Sequence, residues 1–105
     1  MEIEITHENF EQEVIRSNIP VLVDFRAAWC QPCAMLAPVL TQMAEKFEDK
    51  IKVGKINIDN EIALTMKYSV TSAPTIIMFK NGEETGRVVG MMSLDELEAF
   101  ILDNI

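Results

Sequence analysis

The stretch Trp29-Cys30-Gln31-Pro32-Cys33 contains both cysteines of this 105-residue chain. Two thiols three positions apart can form a disulfide and reopen it without a change of fold. As a structural link the pair would be weak, because the chain-entropy model gives only about 2 kcal/mol for so short a loop. The spacing therefore favours a reversible dithiol, provided that the flanking sequence supplies the right structure.

The motif lies between a predicted strand and the clearest predicted helix of the chain. Residues 21–25 follow Pro20 and form an apolar run typical of a buried, parallel strand. After the motif, apolar side chains recur at helical spacing, and Pro38 within them is expected to kink the helix. The apolar positions are Cys33, Leu36, Ala37, Leu40, Met43, Ala44 and Phe47.

The remaining sequence predicts strands and helices in alternation. Together with the elements above, it indicates an α/β fold with a mixed sheet of about five strands and about four helices, in one domain over residues 1–105. In the first half, the further elements are a short edge strand with Ile3 and Ile5, a helix over 8–16 capped by Thr6, and a strand over 51–58. A short helix or irregular segment follows over 60–67. The chain then continues with strands over 75–79 and 85–89, joined by an Asn81-Gly82 hairpin, and a last helix that begins with a Ser93/Glu96 capping box.

Composition limits the classes of function. The chain has 17 acidic and 9 basic residues, and its formal charge of −8 would repel nucleic acid. No apolar run approaches membrane-spanning length, and the acidic first residues do not read as a signal peptide. We therefore expect a soluble cytoplasmic protein, in which an oxidised cysteine pair is more often catalytic than structural.

The chain resembles the thioredoxin family nearly end to end. A lone Cys-x-x-Cys is weak evidence, because metal sites use it too. The same pair after a strand and a tryptophan, about forty residues before a Pro-Thr, is much more specific. The segments that carry the resemblance are Val23-Asp24-Phe25, residues 28–33, Ala37-Pro38, residues 55–59, Ala73-Pro74-Thr75, and residues 79–82 followed by Gly90. The resemblance implies the thioredoxin fold.

The position of the two cysteines predicts how they share the chemistry. Cys30 would lie where the helix begins, and the helix dipole there stabilises a thiolate. We expect Cys30 to be an exposed nucleophile and Cys33 to be the buried resolving thiol. Attack by Cys30 on a substrate disulfide gives a mixed disulfide, from which Cys33 releases the reduced substrate. A zinc site is disfavoured, because His7 is the only other strong soft ligand and is far away in sequence.

Asp24 interrupts an apolar strand, where an unpaired carboxylate is costly. The resemblance implies that Asp24 accepts the proton of the resolving cysteine through water, with Lys55 on the neighbouring strand as its charge partner. A solvated carboxylate at the strand end and a purely structural lysine are the alternatives. The resemblance also implies a cis-proline at Pro74, facing the disulfide. The substrate-binding residues that it implies are Trp29, Gln31, Pro32, Ala73, Pro74, Gly90 and Met91, although Trp29 could instead be an ordinary core residue.

Three departures from the family pattern bear on the redox potential. Gln31 replaces the glycine common between the cysteines, and Arg26 stands where a second tryptophan is usual. A cation near Cys30 would favour its thiolate and make the protein a weaker reductant, unless Arg26 is simply solvated. Ala34 removes the lysine that typically follows the motif, which partly offsets the effect of Arg26.

The resemblance implies a protein-disulfide reductase and electron carrier that holds no cofactor or metal. It would act as a monomer on protein disulfides and be recharged by a thioredoxin reductase, a flavin protein that uses NADPH. A disulfide isomerase or oxidase on the same scaffold is one alternative, which Gln31 and Arg26 keep open. A docking module that works without redox turnover is the other.

Overall fold

A computed structural model describes all residues, 1–105, and a five-stranded sheet forms its centre. The strand order across the sheet is β1-β3-β2-β4-β5. Strands β1, β3 and β2 run parallel, whereas β4 and β5 are each antiparallel to the strand before them in this order. The mixed sheet predicted from the sequence is therefore confirmed. Its strands are β1 (Glu2–Glu4), β2 (Val21–Arg26), β3 (Lys52–Asn57), β4 (Thr75–Lys80) and β5 (Glu83–Val89).

Three α-helices and one π-helical segment accompany the sheet. They are α1 (Gln31–Lys46), α2 (Ile62–Lys67), α3 (Leu94–Asn104) and the π-helical segment Glu11–Ile15. Helix α1 continues through Pro38 without interruption. The predicted capping box is confirmed, because Ser93 Oγ accepts the Glu96 N–H while the Glu96 carboxylate accepts the Ser93 N–H. No helix is both long and apolar enough to cross a bilayer.

The predicted helix over residues 8–16 is wrong in its bounds and type. The Asn9 side chain accepts the Thr6 N–H at 2.8 Å, which holds the following residues in a turn. The Arg16 N–H then bonds the Glu11 carbonyl at 2.9 Å, a separation of five residues that is the π-helical pattern. Thr6 Oγ1 accepts the Glu8 N–H at 3.2 Å and the Thr6 carbonyl accepts the Phe10 N–H at 3.0 Å, so the predicted cap at Thr6 is present ahead of the π-helical segment.

The core lies on both faces of the sheet, because side chains alternate along each strand. Leu22 packs with α1 and α3 on one face, whereas Val21 and Val23 pack with the π-helical segment and α2 on the other. By the same alternation Asp24 and Arg26 point to the face of Leu22. Two ionisable side chains therefore lie on the face of the sheet that packs against the helix beginning with the cysteine motif.

The predicted β4–β5 hairpin is confirmed. Asn81 and Gly82 have φ angles of 54° and 81°, and a two-residue turn of type I′ requires positive φ at both central positions. A bulge at Met78/Phe79 shifts the register between the two strands.

Candidate active site

Cys30 and Cys33 form a disulfide at the start of α1, with their Cα atoms 5.3 Å apart. Cys30 is the N-cap residue, and its Sγ accepts the Cys33 backbone N–H at 3.2 Å. Pro32 lies in the first turn, where its missing N–H leaves no bond unmade. Once the pair is reduced, the same N–H and the positive end of the helix favour negative charge on the Cys30 sulfur.

The expectation that Cys30 is exposed is wrong for this oxidised state. Cys30 is 5% exposed and Cys33 is 4% exposed, so burial hardly distinguishes them. Ala27 and Ala73 pack against the pair, and Cys30 Sγ lies 3.5 Å from the Ala73 carbonyl oxygen. A cavity of about 330 Å³ adjoins the disulfide; its walls are Arg26, Ala27, Ala28, Cys30, Cys33, Ala34, Ala37 and Lys55.

The loop before β4 brings a second group of site residues to the disulfide. The Ala73–Pro74 peptide bond is cis, which confirms the expected geometry. The Pro74 carbonyl accepts the Gly90 N–H at 2.9 Å, so the segment after β5 lies beside Pro74. Met91 is 42% exposed, whereas Met92 is buried in the core under α1 and α3. Of the two methionines, only Met91 offers exposed apolar surface in the segment beside Pro74.

Trp29 is 71% exposed, so the alternative of an ordinary core residue is wrong. Its indole Nε1 donates a hydrogen bond to Asp59 Oδ2 at 2.8 Å. Gln31 and Pro32 are also exposed on the first turn of α1. Sequence reasoning missed the part played by Asp59, although Asp59 is the last residue of a segment that carries the family resemblance.

Asp24 is 1% exposed, and its Oδ1 has no hydrogen-bond partner. The alternative of a solvated carboxylate is therefore wrong. Burial raises the pKa of Asp24 from 3.8 to about 6, against the opposing charges of Arg26 and Lys55. A buried carboxyl that changes charge near neutral pH is typical of functional sites.

The two cations near Asp24 both have other partners. Lys55 lies opposite Asp24 in the β2–β3 register, but its Nζ is 2.9 Å from Glu2 Oε1. Lys55 therefore forms no ion pair with Asp24, and it acts as a charge partner through its field alone, which lowers the Asp24 pKa. Arg26 shares the cavity wall with Cys30, but its Nη2 donates to Glu4 Oε1 at 3.0 Å. It is not the unpaired, solvated arginine that the sequence left open.

His7 is exposed, and two of its nitrogens lie within hydrogen-bond distance of one carboxylate oxygen. Its backbone N–H donates to Glu61 Oε1 at 2.7 Å, and its Nδ1 lies 3.0 Å from the same oxygen. These bonds attach the turn after β1 to the residue before α2, which sequence reasoning missed.

Comparison with known proteins agrees with this architecture. The thioredoxin family model matches residues 1–103. A thioredoxin of Rickettsia bellii is 44% identical over 101 residues, which are 96% of each chain. A thioredoxin of Pseudomonas aeruginosa is 43% identical over 103 residues, or 98% of this chain and 95% of that one. A thioredoxin of Porphyra purpurea is 44% identical over 96 residues, 91% of this chain and 90% of its own. With its mixed sheet and the disulfide at the start of α1, this chain belongs to the thioredoxin family.

Proposed function

We propose that this thiol-disulfide oxidoreductase reduces protein disulfides through attack by Cys30 and resolution by Cys33. The Cys30 thiolate breaks the substrate disulfide and forms a mixed disulfide, which releases one substrate thiolate. Cys33 then loses its proton and attacks Cys30 Sγ, which releases the second substrate thiolate. Two electrons pass to the substrate, and the protein is left with the Cys30–Cys33 disulfide.

The observation that carries this assignment is the hydrogen bond from the Cys33 N–H to Cys30 Sγ. It identifies Cys30 as the sulfur at the positive end of α1, where a thiolate is best stabilised. Cys33 lies inside the first turn, within reach of the Cys30 sulfur but with its side chain on the buried face of the helix.

Asp24 is proposed as the acceptor of the Cys33 proton, through water. A carboxyl with a pKa of about 6 can both take up and release a proton near neutral pH. The cavity beside the disulfide is large enough for several water molecules. Lys55 and Arg26 would influence this step through their charges, since neither bonds Asp24.

An extended segment of the substrate is proposed to bind across the disulfide. The Ala73 backbone would pair with it, since the Ala73 carbonyl lies beside Cys30. Pro74 and Gly90 form the adjacent backbone. The exposed surface that would contact substrate side chains is supplied by Trp29, Gln31, Pro32 and Met91.

The oxidised protein is proposed to be recharged by a flavin-containing thioredoxin reductase that uses NADPH. The protein would act in the cytoplasm as a single monomeric domain without a cofactor of its own. A reducing compartment suits this direction of electron flow, because it keeps the dithiol form available.

The reduction potential of the Cys30/Cys33 pair tests this assignment. It is measured by equilibration with dithiothreitol and glutathione, with Trp29 fluorescence as the readout. Reference values are about −270 mV for thioredoxin and about −180 mV for protein disulfide isomerase. A value near the first supports a reductase, in which Gln31 and Arg26 are minor adjustments. A value near the second would favour the isomerase or oxidase.

Two serine variants test the order of attack. Cys33→Ser keeps the nucleophile and should accumulate a mixed disulfide with substrate that dithiothreitol releases. Cys30→Ser should form none and should lose turnover. The docking module would be favoured by two results together: partner binding that is unchanged in Cys30→Ser, and an unmodified protein that shows no redox transition.

A further inference from the structure

Five charged side chains share the face of the sheet that lies under α1. Along β1 and β2 they occupy alternate positions, which place them on the same face as the buried Leu22. In the register of the sheet, β3 carries Lys55 between Glu4 and Asp24, which face it from β1 and β2. The cluster comprises Glu2, Glu4, Asp24, Arg26 and Lys55.

Within this cluster, the two glutamates of β1 bind the two cations. Glu2 Oε1 lies 2.9 Å from Lys55 Nζ, and Glu2 Oε2 accepts the Thr41 hydroxyl of α1 at 2.9 Å. Glu4 Oε1 accepts a hydrogen bond from Arg26 Nη2 at 3.0 Å. Asp24 is the one carboxyl of the five residues that bonds neither cation.

The charges of the cluster balance only when Asp24 is protonated. Three carboxyl groups face two cations, and Glu2 and Glu4 account for both. Burial alone would raise the pKa of Glu2, but its contacts with Lys55 and Thr41 outweigh this and leave the pKa lowered, so Glu2 stays ionised. Ionisation of Asp24 therefore adds a negative charge that no neighbour compensates.

The other groups that face Asp24 add little fixed charge. The two cysteines at the start of α1 carry no charge in the disulfide form, and β4 places the uncharged Ile76 opposite Asp24. The Met1 ammonium at the start of β1 acts on Glu2. The glutamate–cation pairs are therefore the main fixed charges that Asp24 experiences.

We propose that Glu2 and Glu4 are positioning residues for disulfide reduction: they hold Lys55 and Arg26 and so prevent either cation from forming an ion pair with Asp24. This inference rests on the proposed role of Asp24 as a proton acceptor. A direct ion pair with a cation typically lowers a carboxyl pKa by about 1 to 3 units. Asp24 would then stay ionised through the neutral range and be a weaker base toward the Cys33 thiol.

The Glu4–Arg26 pair allows a test by opposite charge changes. In the oxidised protein, whose disulfide carries no charge, the midpoint of Asp24 ionisation is read from its side-chain carboxyl carbon by NMR. Glu4→Gln should lower the midpoint by about 0.5 to 1 pH unit, since Arg26 loses its counter-charge. Arg26→Gln should raise it by a similar amount. The double variant should return near the unmodified value, and Arg26→Lys, which keeps the charge, should resemble the unmodified protein.

Glu84→Gln is the matched control. Glu84 forms an ion pair with Arg87 at 2.7 Å on β5, the edge strand opposite β1. Like β1, β5 lies two strands away from β2. Glu84→Gln changes the net charge of the protein by the same amount as Glu4→Gln does, and it should leave the Asp24 midpoint unchanged. Glu4→Gln with an unshifted midpoint, or a double variant whose two effects do not cancel, would overturn the inference.

Activity separates this inference from the proposed function. The pH profile of insulin-disulfide reduction should shift in the same direction as the NMR midpoint in each variant. If Asp24→Asn leaves that profile unchanged, the proposed proton-accepting role fails, and with it the positioning role of Glu2 and Glu4. If Asp24→Asn removes the fall of activity at acidic pH but Glu4→Gln does not shift the pH at which that fall occurs, the proposed function stands and only the inference fails.

Discussion

The Trp29 indole donates a 2.8 Å hydrogen bond to Asp59, and this bond holds a largely exposed ring beside the disulfide. Asp59 follows β3 directly after Ile58, whose N–H bonds the Arg26 carbonyl at 2.9 Å. The ring is therefore attached to the rigid sheet rather than left free in solvent. Because binding costs free energy for each side chain that must be ordered, a ring held in advance favours substrate binding.

We expect Asp59→Ala to lower kcat/KM for a protein disulfide by about threefold to tenfold, the effect of losing one hydrogen bond of about 1 kcal/mol. Trp29 is the only tryptophan, so its fluorescence anisotropy reports the freed ring directly. Asp59→Asn keeps an acceptor oxygen and should retain most of the activity. An Asp59→Ala protein with unchanged anisotropy and activity would contradict the positioning role.

Asp24→Asn is expected to stabilise the oxidised protein at alkaline pH. The folded protein raises the pKa of Asp24 from 3.8 to about 6, so between these values it binds more protons than the unfolded chain. Unfolding free energy therefore falls as pH rises through this window, by about 3 kcal/mol in total. The variant should be about 2 to 3 kcal/mol more stable at pH 8 and gain almost nothing near pH 3.5.

Urea unfolding at the two pH values measures this difference. Asp49→Asn, at an exposed position in the turn after α1, is the control and should change stability little at either pH. A gain for Asp24→Asn that is equal at pH 3.5 and pH 8 would show that titration of this carboxyl is not its source.

Gly82→Ala is expected to destabilise the protein by about 2 kcal/mol. Its φ of +81° is strained for any side chain, and an added Cβ would also lie 3.1 Å from the Ile15 carbonyl oxygen. Gly90→Ala has similar strain at φ +100° but no atom within 4 Å, so about 1 kcal/mol is expected. Urea midpoints measure both changes, and a Gly90 variant that is the less stable of the two would refute the steric argument.

Ser93→Ala should lower unfolding free energy by about 1 kcal/mol, because the Glu96 N–H loses its partner at the start of α3. Glu96→Gln should cost less, since an amide oxygen can still accept the Ser93 N–H. Thermal unfolding of the two variants makes the comparison. Equal losses would indicate that the carboxylate charge, rather than the capping geometry, is the stabilising feature.

Local patterns predicted most of the fold. The apolar stripe of α1, the Asn81-Gly82 turn and the Ser93 cap all depend on residues near in sequence. The helix over 8–16 was the exception, because it closes with a bond of five-residue spacing, from the Arg16 N–H to the Glu11 carbonyl, instead of the four-residue spacing of an α-helix. Hydrophobic periodicity carries no information about such a bond.

Side-chain partners in the site were harder to predict. The family resemblance implied Lys55 as the charge partner of Asp24, but the register of β1 against β3 brings Glu2 and Glu4 to the two cations. Partner choice between strands about fifty residues apart depends on that register, which a single sequence does not specify. The bond between Trp29 and Asp59 was missed for the same reason.

The two edge strands also bear on how the folded protein behaves at high concentration. An exposed edge is a template onto which a strand of another molecule can add, and short or charged edges resist this. Strand β1 spans only Glu2–Glu4, and β5 carries Glu83, Glu84 and Arg87. Neither edge offers a long apolar template for aggregation, so the protein should stay dispersed in concentrated solution while its sheet remains intact.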